Sequence, residues 1–162
     1  MTDFQALLQA LDQNSVEYIV VGGAAAIAHG SARYTQDLDI VYRRSPQNLD
    51  RLVAALRDVR PYLRGAPPGL PFVLDKTTLT QGLNFTLETA IGWIDLLGEI
   101  PGGGRYEDLL PDSIEMKIFS GLSKFLSLDQ LIRAKRAAGR PKDLDALAEL
   151  EALREETGST QG

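Results

Sequence analysis

Residues 18–41 read YIVVGGAAAIAHGSARYTQDLDIV. Glu17 to Val21, apolar after its first residue, reads as a buried strand. Gly22-Gly23 breaks it, and Ala24 to His29 forms a short helix closed by Gly30. Leu38 to Tyr42 is a second strand. Alternate residues of a strand share a face, so Asp37 and Asp39 project together while Leu38 and Ile40 point into the core. Further along, Ile94-Asp95-Leu96 places a third acid at the polar position of another apolar strand.

Upstream, Phe4, Leu7, Leu8 and Leu11 follow helical spacing, which predicts a helix from Thr2, as N-cap, to Gln13. Downstream, Ser45-Pro46 opens a helix with the stripe Leu49, Leu52, Val53 and Leu56. The segment 65–71, GAPPGLP, reads as a loop, and Asp75 to Gln81 as one helical turn. Leu83 to Glu88 and Ile91 to Leu96 read as strands, and Ser113 to Phe119 with Leu122 to Leu126 as a hairpin about Ser120-Gly121. The glycine-rich GEIPGGGRY lacks the lysine and Ser/Thr of a P-loop and reads as a connector. Two helices close the chain, Leu128 to Ala138 and Pro141 to Glu155, with Gly139 as stop and Pro141 as start. The pattern predicts an α+β class: a mixed sheet flanked by helices in a core of residues 1–126, a helical pair over 127–157 packed on it, and a disordered tail over 158–162.

The 162 residues include no cysteine and one histidine, which rules out disulfides and thiolate metal sites. No apolar run approaches the roughly 20 residues of a membrane span, and the N-terminus lacks the basic-then-apolar order of a signal peptide. A cytoplasmic protein with no membrane partner is expected. The net charge of −5 argues against a surface that coats nucleic acid. Charge is unevenly placed, however: residues 41–64 carry six arginines against Asp50 and Asp58, and residues 131–142 carry five cations and no acid. Such patches suit a polyphosphate or a short RNA, or are simply solvated helix faces.

Two carboxylates on one strand face repel unless a cation lies between them. Oxygen ligands favour Mg²⁺, with Mn²⁺ as a substitute, and Asp95 supplies a third ligand if its strand neighbours the first. Such a cluster can hold two metal ions, one on nucleotide phosphates and one at an attacking hydroxyl. Thirteen residues separate Gly23 from Asp37. Without Cβ atoms, Gly22 and Gly23 let backbone amides approach a phosphate, with the following helix directed at it. Arg33, four residues before Asp37, is placed to meet a triphosphate or to form a structural salt bridge. Ser31 can bind phosphate or cap the turn after Gly30. His29 fits a packing or capping role better than substrate contact. Trp93 shares the face of Asp95, and either stacks a base or closes the sheet edge.

Val21-Gly22-Gly23, Asp37-Leu38-Asp39 and Ile94-Asp95-Leu96 together resemble the signature of the nucleotidyltransferase superfamily related to DNA polymerase β. Within it, GSARYTQDLDI and LIRAKRAAGRPKDLDAL resemble the minimal bacterial AbiEii-type toxins, in which a C-terminal lysine and aspartate accompany the catalytic acids. Lys135 and Asp143 match that pair. The resemblance implies Mg²⁺ held by Asp37, Asp39 and Asp95, and a nucleotide held by Gly22, Gly23, Ser31, Arg33, Lys135 and Asp143. It implies transfer of a nucleoside monophosphate from an NTP to an acceptor hydroxyl, on RNA or tRNA, a protein or a small molecule, and a cognate antitoxin if the protein is a toxin. A catalytically inactive nucleotide- or partner-binding module is the competing expectation. AbiEii-type enzymes carry a larger helical C-terminal part, and this chain ends soon after Asp143, which weighs against a tRNA-sized acceptor.

Overall fold

The computed structural model describes residues 1–119 and 121–161, with the side chains of 158–161 left aside. Ser120 of the expected hairpin turn, and the side chains of the 158–162 tail, therefore lie outside the described residues.

Helix α1 (Phe4–Gln13) leads into strand β1 (Tyr18–Val21), the short helix α2 (Gly22–Ala28) and strand β2 (Asp37–Tyr42). Helix α3 (Pro46–Leu56) is capped by Ser45, whose hydroxyl accepts from the Asn48 N–H, as the Ser-Pro start predicts. The two-residue strand β3 (Tyr62–Leu63) precedes α4 (Lys76–Gln81), β4 (Phe85–Thr89) and β5 (Gly92–Leu97). The glycine-rich connector is the tip of a minor hairpin, β6 (Glu99–Ile100) and β7 (Gly104–Arg105). After the single turn α5 (Tyr106–Leu109) come the hairpin β8 (Ile114–Ile118) and β9 (Gly121–Phe125), then helices α6 (Leu128–Ala138) and α7 (Pro141–Gln161). Gly139 closes α6 at φ 63, the left-handed value its role as helix stop requires.

Seven strands form one mixed sheet in the order β3-β4-β5-β2-β1-β9-β8. Pairing is parallel for β2 with β5 and for β1 with β9, and antiparallel elsewhere. Ile19, Val20, Ile40, Val41, Ile94 and Leu96 in the central strands are all fully buried. Central strands with both faces covered read as continuous apolar runs, which is why the acids within them stand out.

The sequence places most of these elements within a few residues. Three differences have physical causes. Helix α1 starts at Phe4 because Asp3, not Thr2, caps it, accepting from the Ala6 N–H at 2.9 Å. Thr2 is instead buried, its hydroxyl donating to the Gln36 carbonyl and accepting from the Trp93 N–H at 3.0 Å. Glycine at position 92 makes that contact possible, since a Cβ there would sit 2.5 Å from the Thr2 Cα. Helix α2 begins at Gly22 itself rather than after the glycine pair. Finally, β3 went unforeseen: two residues are too few for any periodicity to show.

Candidate active site

The register of β2 on β5 pairs Asp37 with Trp93 and Asp39 with Asp95. Three carboxylates thus meet on one face, where one oxygen of each lies within 4.8 Å of the others. They form the floor of a cleft of about 380 Å³ between the sheet and the α6–α7 pair. Gly22, Gly23, Arg33, Lys135 and Lys142 line its walls.

Asp39 lies deepest. Burial, reinforced by the neighbouring charges and hydrogen bonding of Asp95 and by Asp37, pushes its carboxyl up to about 7. Its Oδ1 is buried with no hydrogen-bond partner. A buried, unpartnered oxygen between two further carboxylates is a donor set short of one cation. The three acids therefore fit a divalent metal. Asp37 is also raised, mainly by burial, with Arg64 and Lys142 opposing the shift and Asp95 adding to it.

Gly22 is fixed by two constraints. Its φ of +62° is left-handed, and a Cβ on it would lie 2.3 Å from Asp39 Oδ2. Gly23 abuts the Thr35 side chain, with its virtual Cβ 2.7 Å from the hydroxyl. The missing side chains therefore make room for Asp39 and Thr35, a reason for the glycine pair that lies in the protein's own packing.

Opposite the carboxylates, Asp143 is fully buried and gathers two cations. Arg140 donates to it from Nε at 2.6 Å and from its backbone N–H at 3.1 Å, and Lys135 Nζ lies 3.3 Å away. These donors hold the Asp143 carboxyl down at about 2, Arg140 contributing most. Asp143 thus caps the start of α7 and fixes Lys135 at once. The structure brings Lys135 and Asp143 into the same cleft as the three acids.

Ser31 caps the turn after Gly30, its Oγ accepting from the Arg33 N–H at 3.1 Å, and it also reaches the last helix. Its hydroxyl donates to Glu149 Oε1 of α7 at 2.6 Å, and the Ala32 N–H donates to Glu149 Oε2 at 3.1 Å. The loop before β2 is thereby tied to the last helix. Arg33 faces the cleft and forms no ion pair among the described residues. His29 caps α2 and its Nε2 pairs with the Leu126 carbonyl at 2.8 Å, a structural role.

Arg64, one residue past β3, reaches the site unannounced by any motif. Its guanidinium donates to Asp95 Oδ1 at 2.8 Å and to the Leu87 carbonyl at 2.7 Å, and stands 3.5 Å from Asp37 Oδ2. It also lies over the Trp93 ring, 4.5 Å from the centroid. Trp93 therefore carries an arginine on its face. In the sequence Arg64 is only the last of six arginines in a basic stretch; the rest scatter, Arg43 to Glu17 and Arg44 to the carbonyls of Leu79 and Thr80.

The mixed sheet flanked by helices, with its acid-apolar-acid strand beside a third acid, matches in fold the solved structures of nucleotidyltransferases. No family model matches the chain, and no curated protein matches it in sequence. Among solved structures it is similar to ANT(2″)-Ia, an aminoglycoside nucleotidyltransferase, in the crystal structure of its complex with adenylyl-2″-tobramycin. That likeness has a TM-score of 0.54 at 15% identity and covers 98% of this chain and 96% of the other. The solution structure of the antibiotic-resistance factor ANT(2″)-Ia gives a TM-score of 0.53 at 16% identity, covering 97% and 90%. At such identities the likeness speaks to the fold. Among the described residues, no helix is long and apolar enough to cross a membrane.

Proposed function

We propose that the protein is a metal-dependent nucleotidyltransferase that moves a nucleoside monophosphate from an NTP to an acceptor hydroxyl. The observation that carries this reading is the meeting of Asp37, Asp39 and Asp95 on one sheet face, below a wall of cations. A bound Mg²⁺ or Mn²⁺ on these carboxylates would neutralise phosphate charge and favour the ionised acceptor oxygen.

The remaining roles belong to the chain itself. Arg33, Lys135 and Lys142 offer positive charge to the triphosphate, and Lys135, held by Asp143, meets the charge that grows on the leaving pyrophosphate. Asp95 guides the acceptor hydroxyl, whose proton passes to solvent water as the acceptor oxygen bonds to the α-phosphorus. The bond from the α-phosphorus to pyrophosphate breaks in the same displacement.

Two observations bear on the acceptor. The segments GSARYTQDLDI and LIRAKRAAGRPKDLDAL resemble AbiEii-type toxins and support an RNA acceptor and a toxin–antitoxin setting. The likeness to ANT(2″)-Ia, seen with adenylyl-2″-tobramycin, supports a small-molecule acceptor. Incubation with each α-labelled NTP, Mg²⁺, and either total RNA or tobramycin separates them by where the label appears. Label in neither, with no Mg–NTP binding by calorimetry, would sink the enzyme reading; nucleotide binding without transfer would leave the inactive module.

The Lys135–Asp143 pair gives a further expectation. Asp143→Ala frees Lys135 and Arg140 to rotate away, and misplacing a charge by about 1 Å costs on the order of 100-fold in rate. We expect kcat to fall by that order while the metal affinity is held, as measured by steady-state kinetics beside a Mn²⁺ titration.

A further inference from the structure

We propose that Arg64 is the positioning residue of the carboxylate site, a clamp that sets Asp37 and Asp95 in metal-binding geometry from behind. This inference rests on the metal-dependent reading above. Asp37 and Asp95 come from different strands, and like charges so close should splay apart without a counter-charge. Arg64 supplies it. The guanidinium takes one oxygen of each acid, Oδ1 of Asp95 at 2.8 Å and Oδ2 of Asp37 at 3.5 Å, and leaves each a second oxygen.

The clamp is itself held. The Leu87 carbonyl accepts from the same Nη2 that serves Asp95, the Trp93 ring lies against one face of the guanidinium, and the Arg64 N–H donates to the Thr86 carbonyl at 3.0 Å. The Arg64 Nε is buried without a partner. Such an orphan costs stability, so the side chain is kept in this pose by what its other nitrogens hold. The fork divides the work: Nη2 serves Asp95 and Leu87 while Nη1 faces Asp37, and a lysine, shorter and with one nitrogen, has no second nitrogen to place at Asp37.

The test uses the full-length protein and Mn²⁺ alone as probe. Mn²⁺ binding to the wild type, Arg64→Ala and Arg64→Lys is titrated by electron paramagnetic resonance. Trp93, the one tryptophan in the sequence, reports on its stacked partner by fluorescence. Loss of an outer partner of metal ligands weakens affinity by about 10- to 100-fold. We expect both variants to bind Mn²⁺ that much more weakly, with a shifted Trp93 emission, and Lys not to rescue. Should Arg64→Ala fail to fold, Arg64→Lys carries the same comparison. Wild-type affinity in Arg64→Lys would show that charge alone matters and overturn the clamp, as would tighter binding in Arg64→Ala, the mark of a competing cation. A wild type that binds no Mn²⁺ would instead overturn the metal reading beneath it.

Discussion

Asp39→Asn is expected to abolish nucleotide transfer and yet to stabilise the metal-free protein. The two effects have one source. The folded protein raises the Asp39 carboxyl from 3.8 to about 7, chiefly by burying it beside Asp95. A carboxyl raised on folding binds its proton more tightly in the folded state than in the unfolded chain. Its ionised form therefore costs stability, a cost that is absent below about pH 4, grows as pH rises toward 7 and is complete above it. Asparagine keeps the shape and removes the charge. Each kcal/mol moves Tm by roughly 2–4 °C in a chain of this size, and the size of the shift sets an upper limit of about 4 kcal/mol. Because the shift is shared with Asp95 and Asp37, we expect a gain of roughly 4–8 °C at pH 8, vanishing toward pH 4.

Binding a metal reverses the balance. Its ligands must be deprotonated, so metal affinity in the wild type should climb with pH until about 7 and then level off, with protons released on binding. Asp39→Asn should lose that pH dependence together with the affinity, and transfer activity should fall by at least about 1,000-fold, of the order seen when a main source of transition-state charge stabilisation is removed. Thermal melts at pH 4 and pH 8, in chelator and in Mn²⁺, check both halves. A variant no more stable than wild type at pH 8 would show that Asp39 is not held against its charge.

How much of this site was legible beforehand depends on the range of the interaction that made it. Asp37 and Asp39 sit two apart, so local strand geometry alone puts them on one face. The helix stop at Gly139 and the Ser45 cap are equally local, and were equally readable. Asp95 was legible as an acid in an apolar strand, but the pairing of Asp39 with Asp95 is a contact across 56 positions, set by parallel register that no local pattern encodes. Arg64 was hidden for the same reason. It follows a strand of two residues and differs in no visible way from Arg57 or Arg60, and only the β3–β4–β5 order carries it to the carboxylates. The Ser31–Glu149 tether joins residues 118 apart. Chemistry borne by residue type was readable, whereas chemistry borne by which side chains meet was not.

Gly22 shows the two kinds of information at one residue, and Gly22→Ala is the substitution that separates them. From the sequence, the glycine pair lets backbone approach a phosphate. From the structure, Gly22 has a left-handed φ of +62° and its absent Cβ is the space that Asp39 occupies, 2.3 Å from where the methyl would stand. Alanine must adopt a backbone conformation that costs about 1–2 kcal/mol, and its methyl must displace either the carboxylate or the start of α2. Asp39 has nowhere to retreat, since it is flanked by Asp95 and buried. Destabilisation of about 1–3 kcal/mol is expected, seen as a Tm lower by roughly 2–12 °C. Metal binding should weaken along with it, because the displaced group belongs to the proposed metal-binding set. If phosphate approach were the whole reason for the glycine, Gly22→Ala would bind Mn²⁺ normally in the absence of nucleotide and lose only NTP affinity. A Mn²⁺ titration without nucleotide therefore decides the matter. We expect it to be impaired, since the first thing Gly22 accommodates is the protein's own carboxylate.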